Sequence, residues 1–255
     1  MSGPRQVAGR RGSSSGESKV ALPRKTAAQR LRADALYAAL AARYPDAHCE
    51  LTFGSPHELL VATILSAQST DVGVNKATPA LFRRFLVPRD YASVEPVEIE
   101  PYVRSLGFFR SKSKAIYESM RRIEREYGGE VPQTMAELLT LRGVARKTAN
   151  VVLSNAFGTH VGVVVDTHVT RLSERFGLSR ASDPVHVERD LMALFPHPCW
   201  GMLSHLLIWH GRRVCKARGG SCAADSICRE FHAGRHAIRS TAAAGTPRPV
   251  QPSSK

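Results

Sequence analysis

Apolar positions along this chain recur at spacings of three and four residues, and hardly any stretch alternates with a period of two. That spacing buries one stripe of an α-helix and leaves the other face wet. It predicts helices over residues 26–44, 56–69, 71–85, 98–106, 111–127, 134–141, 146–157, 166–176, 184–195 and 200–212. The first carries Leu31, Leu36, Leu40 and Tyr44 on its apolar side and ends before Pro45. Pro56 falls in the first turn of the second, where a missing N–H is harmless. Asp71 stands where an N-cap of the third is expected. About ten helices on short connections, with no internal repeat, make an all-α protein.

One stretch departs from plain helix patterning. LRGVARKTANVVLSNAF (residues 141–157) reads as a tight glycine turn opening a helix whose stripe is Ala149, Val152, Leu153, Ala156 and Phe157. Lys147 lies off that stripe, in the first turn. The amides of such a terminus lack intrahelical acceptors and carry partial positive charge. They suit a phosphate and disfavour protonation of a nearby lysine. A reactive amine beside a phosphate-binding turn points to nucleophilic chemistry on nucleic acid; a solvated lysine on an ordinary helix is the other reading. VDTHVTR (165–171) follows, with Asp166 placed to cap the next helix.

Composition narrows the partner. The 255 residues are 43% hydrophobic and 23% charged, as in a folded water-soluble domain, and the net charge is +14. Such an excess calls for a polyanion, either nucleic acid or an anionic membrane surface. No apolar run approaches the roughly 20 residues of a membrane span, which removes the membrane reading. Part of the charge sits in segments 1–28 and 233–255, which lack apolar periodicity and are expected to be disordered tails. The N-terminal segment has no apolar centre of the secretory kind, so a cytoplasmic protein is expected.

Leu141–Phe157 followed by VDTH resembles the helix-hairpin-helix and catalytic aspartate of the endonuclease III family of DNA repair glycosylases. LSAQSTDVGVNKA (65–77), SLGFFRSKSKAI (105–116) and HGRRVC (210–215) resemble further segments of that family, in family order. The resemblance implies two helical lobes flanking a DNA-binding cleft. A six-helix barrel would span 50–160, with the hairpin at 134–157, and 29–49 would join 161–232 in the other lobe. It implies Lys147 as the nucleophilic amine and Asp166 as the carboxylate facing it. Gly143, Val144, Ala145 and Arg146 would hold the DNA backbone, Gln68 and Phe108 would fill the gap left by an extruded nucleotide, and His168 would stand beside the site. Ala145 replaces a second hairpin glycine common in the family, and Arg142 a common proline. Phe108, where aliphatic residues are commoner, equally fits core packing.

Five cysteines, an odd number, argue against a disulfide framework. The family holds a [4Fe–4S] cluster on C-x6-C-x2-C-x5-C, whereas here only Cys215, Cys222 and Cys228 stand in that region, as C-x6-C-x5-C. Either one family cysteine and two neighbours are deleted, or Asp225 occupies the third position and completes the ligand set. A cluster wants four thiolates, so an impaired or absent cluster is expected. Cys49 and Cys199 are expected to be ordinary buried thiols.

The function implied is that of a bifunctional glycosylase removing oxidised pyrimidines from double-stranded DNA and cleaving abasic sites through a lysine Schiff base. It would act as a bacterial, nucleoid-associated monomer, with no cofactor needed for the chemistry. Two other readings are a non-catalytic helix-hairpin-helix module and the related adenine glycosylase. Lys147 disfavours the second, and the Lys147–Asp166 pair disfavours the first.

Overall fold

The computed structural model describes residues 21–236. Of the tails expected to be disordered, residues 1–20 and 237–255 lie outside the described residues. The inner ends of both tails are docked instead. Lys25 pairs with Asp190 at 2.5 Å, and Ala233 donates its amide to the Arg175 carbonyl at 2.8 Å.

All regular structure among the described residues is helical. In chain order the α-helices are α1 (Ala27–Arg43), α2 (Pro56–Ser66), α3 (Asp71–Arg84), α4 (Pro88–Ala92), α5 (Pro96–Val103), α6 (Phe109–Tyr127), α7 (Met135–Leu138), α8 (Arg146–Phe157), α9 (Thr167–Arg175), α10 (Pro184–Leu194), α11 (Trp200–Arg213) and α12 (Ser226–Phe231). Their starts follow from the sequence. Thr26 and Gln29 cap α1 reciprocally, while Ser55, Thr70, Asp166 and Asp183 each accept an amide of the turn they precede. Gly128 and Gly158 end α6 and α8 in the left-handed conformation.

Several expectations shift. Leu31 is 70% exposed, and the buried stripe of α1 is Ala33, Leu36 and Leu40. Leu31 lies five residues before Leu36, about 140° around the helix, so it faces water. Thr70, rather than Asp71, caps α3. The 134–141 segment makes only the single turn α7. Helices α4 and α12 arise where none was expected. Asp90 reaches back to the amides of Leu86 and Val87 to start α4, and Asp225 caps α12 by accepting from the Cys228 amide at 2.9 Å.

The helices bury two separate cores. One runs from Leu51 to Leu153 and is built by α2–α8 around residues such as Leu59, Leu65, Tyr91, Ile116 and Leu153. The other joins α1 to α9–α12 through Leu36, Leu40, Phe176, Leu191 and Leu206. Helix α2 is buried all round over residues 59–65, at the centre of the first core, whereas α6 and α9 each turn one apolar face inward.

Two ionic clusters cross the seam between the cores. Glu188 of α10, only 5% exposed, accepts from Arg146 at 2.7 and 3.0 Å and from Asn150 at 3.0 Å, both on α8. Gly162 permits this approach, since a Cβ there would stand 1.9 Å from a Glu188 carboxylate oxygen. On the opposite side, Arg212 of α11 holds both Glu50 and Asp71, the latter at 2.7 Å.

Removing Glu188 leaves a buried Asn150 and the Arg146 guanidinium without their shared acceptor. Because the Arg146 side chain stays half-exposed, the loss falls mainly on the buried Asn150 amide, and Glu188→Ala is expected to lower urea-unfolding stability by about 2 kcal/mol. Glu118→Ala, which breaks a half-exposed pair with Arg142, should cost below about 1 kcal/mol. Equal losses in the two variants would contradict this ranking.

Candidate active site

The chain enters the site through the turn before α8. Gly143 adopts φ +77°, and a Cβ there would come 3.1 Å from the Ala115 Cβ of α6. Glycine thus serves both the left-handed turn and the close approach to α6. Val144 follows with its side chain in the first core and its amide turned back onto the Leu141 carbonyl at 3.3 Å. Of the four hairpin amides expected to face a phosphate, Val144's is therefore used inside the turn. Ala145 is the N-cap of α8 and, having no polar side chain, leaves the first-turn amides uncapped from that side. Arg142 donates through Nη1 to both carboxylate oxygens of Glu118, at 2.8 and 3.0 Å, rather than standing alone in solvent. The Arg146 side chain pairs with Glu188 across the seam while staying half-exposed.

Lys147 is the second residue of α8 and is exposed. Across the seam, Asp166 caps α9 by accepting the Val169 amide at 2.8 Å. Two adjoining cavities share Lys147 and Asp166, together with Ser66, Asp71 and Arg212. The deeper one runs beneath α11, walled by His48, Ser204, His205 and Asn155. The shallower one opens to solvent past His168 and Thr170. Electrostatically the same residues form one group. Burial pushes the Asp71 carboxyl up, Lys147 draws it back down, and Asp166 adds to the rise. His168 is half-buried, its Nδ1 accepting from Arg171 at 3.2 Å.

The sequence reading overlooked the floor of the deeper cavity. Burial holds His205 neutral by pushing its pKa down to about 4, with His48 and His160 adding to the effect. Its Nε2–H therefore donates to Asn155 Oδ1 at 2.9 Å. The Ser204 hydroxyl, also on this wall, is buried without a protein partner. A serine and histidine side by side in an otherwise apolar helix were the available signal.

Gln68 and Phe108 lie on two turns at the edge of the first lobe. They are the only non-glycine residues of the described chain at positive φ, 54° and 58°. Phe108 is 68% exposed, which removes core packing as its role. Exposure of an aromatic ring and left-handed backbone are both unfavourable, by about 1 kcal/mol for the backbone. Lys112, one turn into α6 and 5% exposed, joins the two turns by donating to Ser69 Oγ at 2.8 Å. The sequence did hold a trace of it, since Lys112 falls on the apolar stripe of Ile116, Met120 and Ile123.

At the far end of α11, the donor atoms of Cys215, Cys222, Cys228 and His232 lie within 4.8 Å of one another. The fourth member of this set is His232, not Asp225. Asp225 is occupied in capping α12 and pairing with Arg43 at 3.0 Å. Arg175 donates to Cys215 Sγ at 3.1 Å, and contact with Cys228 holds the Cys215 thiol well below its ordinary pKa. The group is compatible with a bound metal centre. Cys49 and Cys199 are free and half-buried rather than fully buried.

Comparison with known proteins agrees with this arrangement. The HhH-GPD superfamily of base excision DNA repair proteins matches residues 61–197. The chain is 53% identical over 210 residues to endonuclease III of Synechocystis, covering 81% of this chain and 96% of that protein. It is 46% identical over 191 residues to endonuclease III of Bacillus subtilis, covering 73% and 87%. A trapped endonuclease III–DNA covalent intermediate superposes with a TM-score of 0.76 at 40% identity, over 81% of this chain and 96% of the other. Among the described residues no helix is long and apolar enough to cross a membrane. The chain belongs to the endonuclease III family, the base excision repair DNA glycosylases that are also abasic-site lyases.

Proposed function

We propose that this enzyme removes oxidised pyrimidines from double-stranded DNA and cuts the resulting site through a Schiff base on Lys147. The observation that carries this reading is the cavity pair that exposed Lys147, at a helix start, and Asp166 line together. The likeness to a structure described as a covalent endonuclease III–DNA intermediate supports it.

In the first step Lys147 Nζ forms a bond to C1′ of the extruded nucleotide as the bond from C1′ to the base breaks. The departing base takes the electron pair of that bond. Asp166 stabilises the positive charge developing on the sugar and accepts protons as they are released. Opening of the sugar gives an iminium, which makes the C2′ proton acidic. Its loss expels the 3′ phosphate by β-elimination, and water then hydrolyses the iminium to free Lys147. Asp166 retains one oxygen on the Val169 amide, which fixes the carboxylate while it does this work.

The remaining site residues divide between gripping and filling. The backbone amides of Gly143, Ala145 and Arg146 would hold a phosphate next to the extruded nucleotide without reading sequence. Gln68 and Phe108 would enter the stack, with Phe108 able to lie flat against a base. His168 would stand at the open rim, held by Arg171. The protein would act as a monomer on nucleoid DNA, and no step passes through the cysteine centre.

Two outcomes follow from these roles. Phe108→Gly relieves the left-handed strain and should raise urea stability of the free protein by about 1 kcal/mol. The same change should weaken binding to a duplex carrying a stable abasic analogue. Loss of stability in Phe108→Gly would contradict the strain assignment. With an abasic-site duplex and borohydride, the wild-type protein should form a covalent adduct that Lys147→Ala abolishes. An adduct of undiminished yield in Lys147→Ala would remove Lys147 from its role.

A further inference from the structure

We propose that Cys215, Cys222, Cys228 and His232 hold a single tetrahedral zinc ion where the family's cysteine loop carries a four-iron cluster. Three thiolates and one imidazole form a donor set well suited to structural zinc. The spacing supports one ion. Bond lengths of about 2.3 Å to sulfur and 2.0–2.1 Å to nitrogen put tetrahedral ligands about 3.8 Å apart for two sulfurs and about 3.5 Å for sulfur and nitrogen. Cys215 Sγ lies 3.4 Å from His232 Nε2, and all four donor atoms fall within 4.8 Å of one another. In a [4Fe–4S] cluster each thiolate binds its own iron, so the ligands must stand further apart than around a single ion.

The backbone between these ligands is folded back on itself, which holds the donors at the shorter span. Ser221 and Lys216 both donate to the Val214 carbonyl, at 3.2 and 2.9 Å. A Cβ on Gly220 would meet that same carbonyl at 2.7 Å and the Lys216 amide at 2.9 Å. The segment between Cys215 and Cys222 is thus closed on its own backbone. The absent family cysteine is replaced in space by an imidazole from beyond α12, reached by the short spacing Cys228-x3-His232.

The partners around these ligands fit the same reading. His232 Nδ1 lies 3.0 Å from the His236 carbonyl, where it donates, which leaves Nε2 with its lone pair toward the thiols. Backbone acceptance of this kind is what orients a metal-binding histidine. His210 Nε2 stands 3.2 Å from Cys228 Sγ, with the Tyr44 hydroxyl 2.9 Å from its Nδ1. The hydroxyl donates to Nδ1, so Nε2–H is aimed at the sulfur. With Arg175 on Cys215, two donors offset the negative charge that three thiolates retain around one zinc. The ion would pin the end of α11 to α12, well away from Lys147.

The test uses full-length protein purified anaerobically from cells supplied with both iron and zinc. One zinc per chain is expected, without iron or acid-labile sulfide, and anaerobic reconstitution with iron and sulfide should yield no stoichiometric cluster. Exchange with Co2+ should give the visible spectrum of a tetrahedral, thiolate-bound ion. His232→Ala should alter that spectrum and lower zinc affinity at least about tenfold in chelator competition. Asp225→Asn, which keeps the cap of α12, should leave both unchanged. Four irons with sulfide in the wild-type protein, a folded wild-type chain without metal, or an unaltered Co2+ spectrum in His232→Ala would each overturn the proposal.

Discussion

The buried carboxylate of Glu188 is the constraint on which the cleft depends. It belongs to α10 in one lobe and takes three hydrogen bonds from Arg146 and Asn150 of α8 in the other. An ionised carboxylate with little water is tolerable only when its oxygens are fully engaged. The lobes therefore cannot slide along this seam without stranding it. Because Arg146 immediately precedes Lys147, the interaction that joins the lobes also sets the position of the proposed nucleophile. Arg212, holding Glu50 and Asp71 across the far side of the cavity, supplies the second fixed point. Lys147 and Asp166 lie between the two clusters.

The structure concentrates strain and exposure where DNA would be deformed. Both described non-glycine residues with positive φ lie on the turns proposed to flank the extruded nucleotide, and one of them is an exposed phenylalanine. Neither feature helps the free protein. A rigid base under these turns comes from Lys112, whose ammonium is desolvated to reach Ser69. Strain that persists in this way is a mark of a surface shaped for a partner rather than for folding.

How much could be read beforehand depended on the range of the interaction. Long amphipathic helices such as α6 announce themselves by period, and the expected starts at Pro56, Asp71 and Pro184 agree to the residue. That Lys147 and Asp166 line the same cavities was legible because their motifs lie only eight residues apart at their nearest ends. By contrast, α4 and α12 are too short to show a period, and Leu31 was assigned to the wrong face because leucine outweighs alanine in a hydrophobicity count. Glu188, Arg212 and His205 act through contacts between distant segments, which no local pattern displays. His232 falls outside the spacing of the family cysteines, its imidazole lying one turn beyond Cys228.

Lysine chemistry at a defined helix start is the centre of this account, and the chain offers a competing amine in desolvated Lys112, beside the extrusion turns. Peptide mapping by mass spectrometry of the borohydride-trapped DNA adduct distinguishes the two. The account predicts the nucleoside remnant on the peptide containing Lys147, with Lys112 unmodified. A remnant on Lys112, or on an amine outside the cleft, would contradict it.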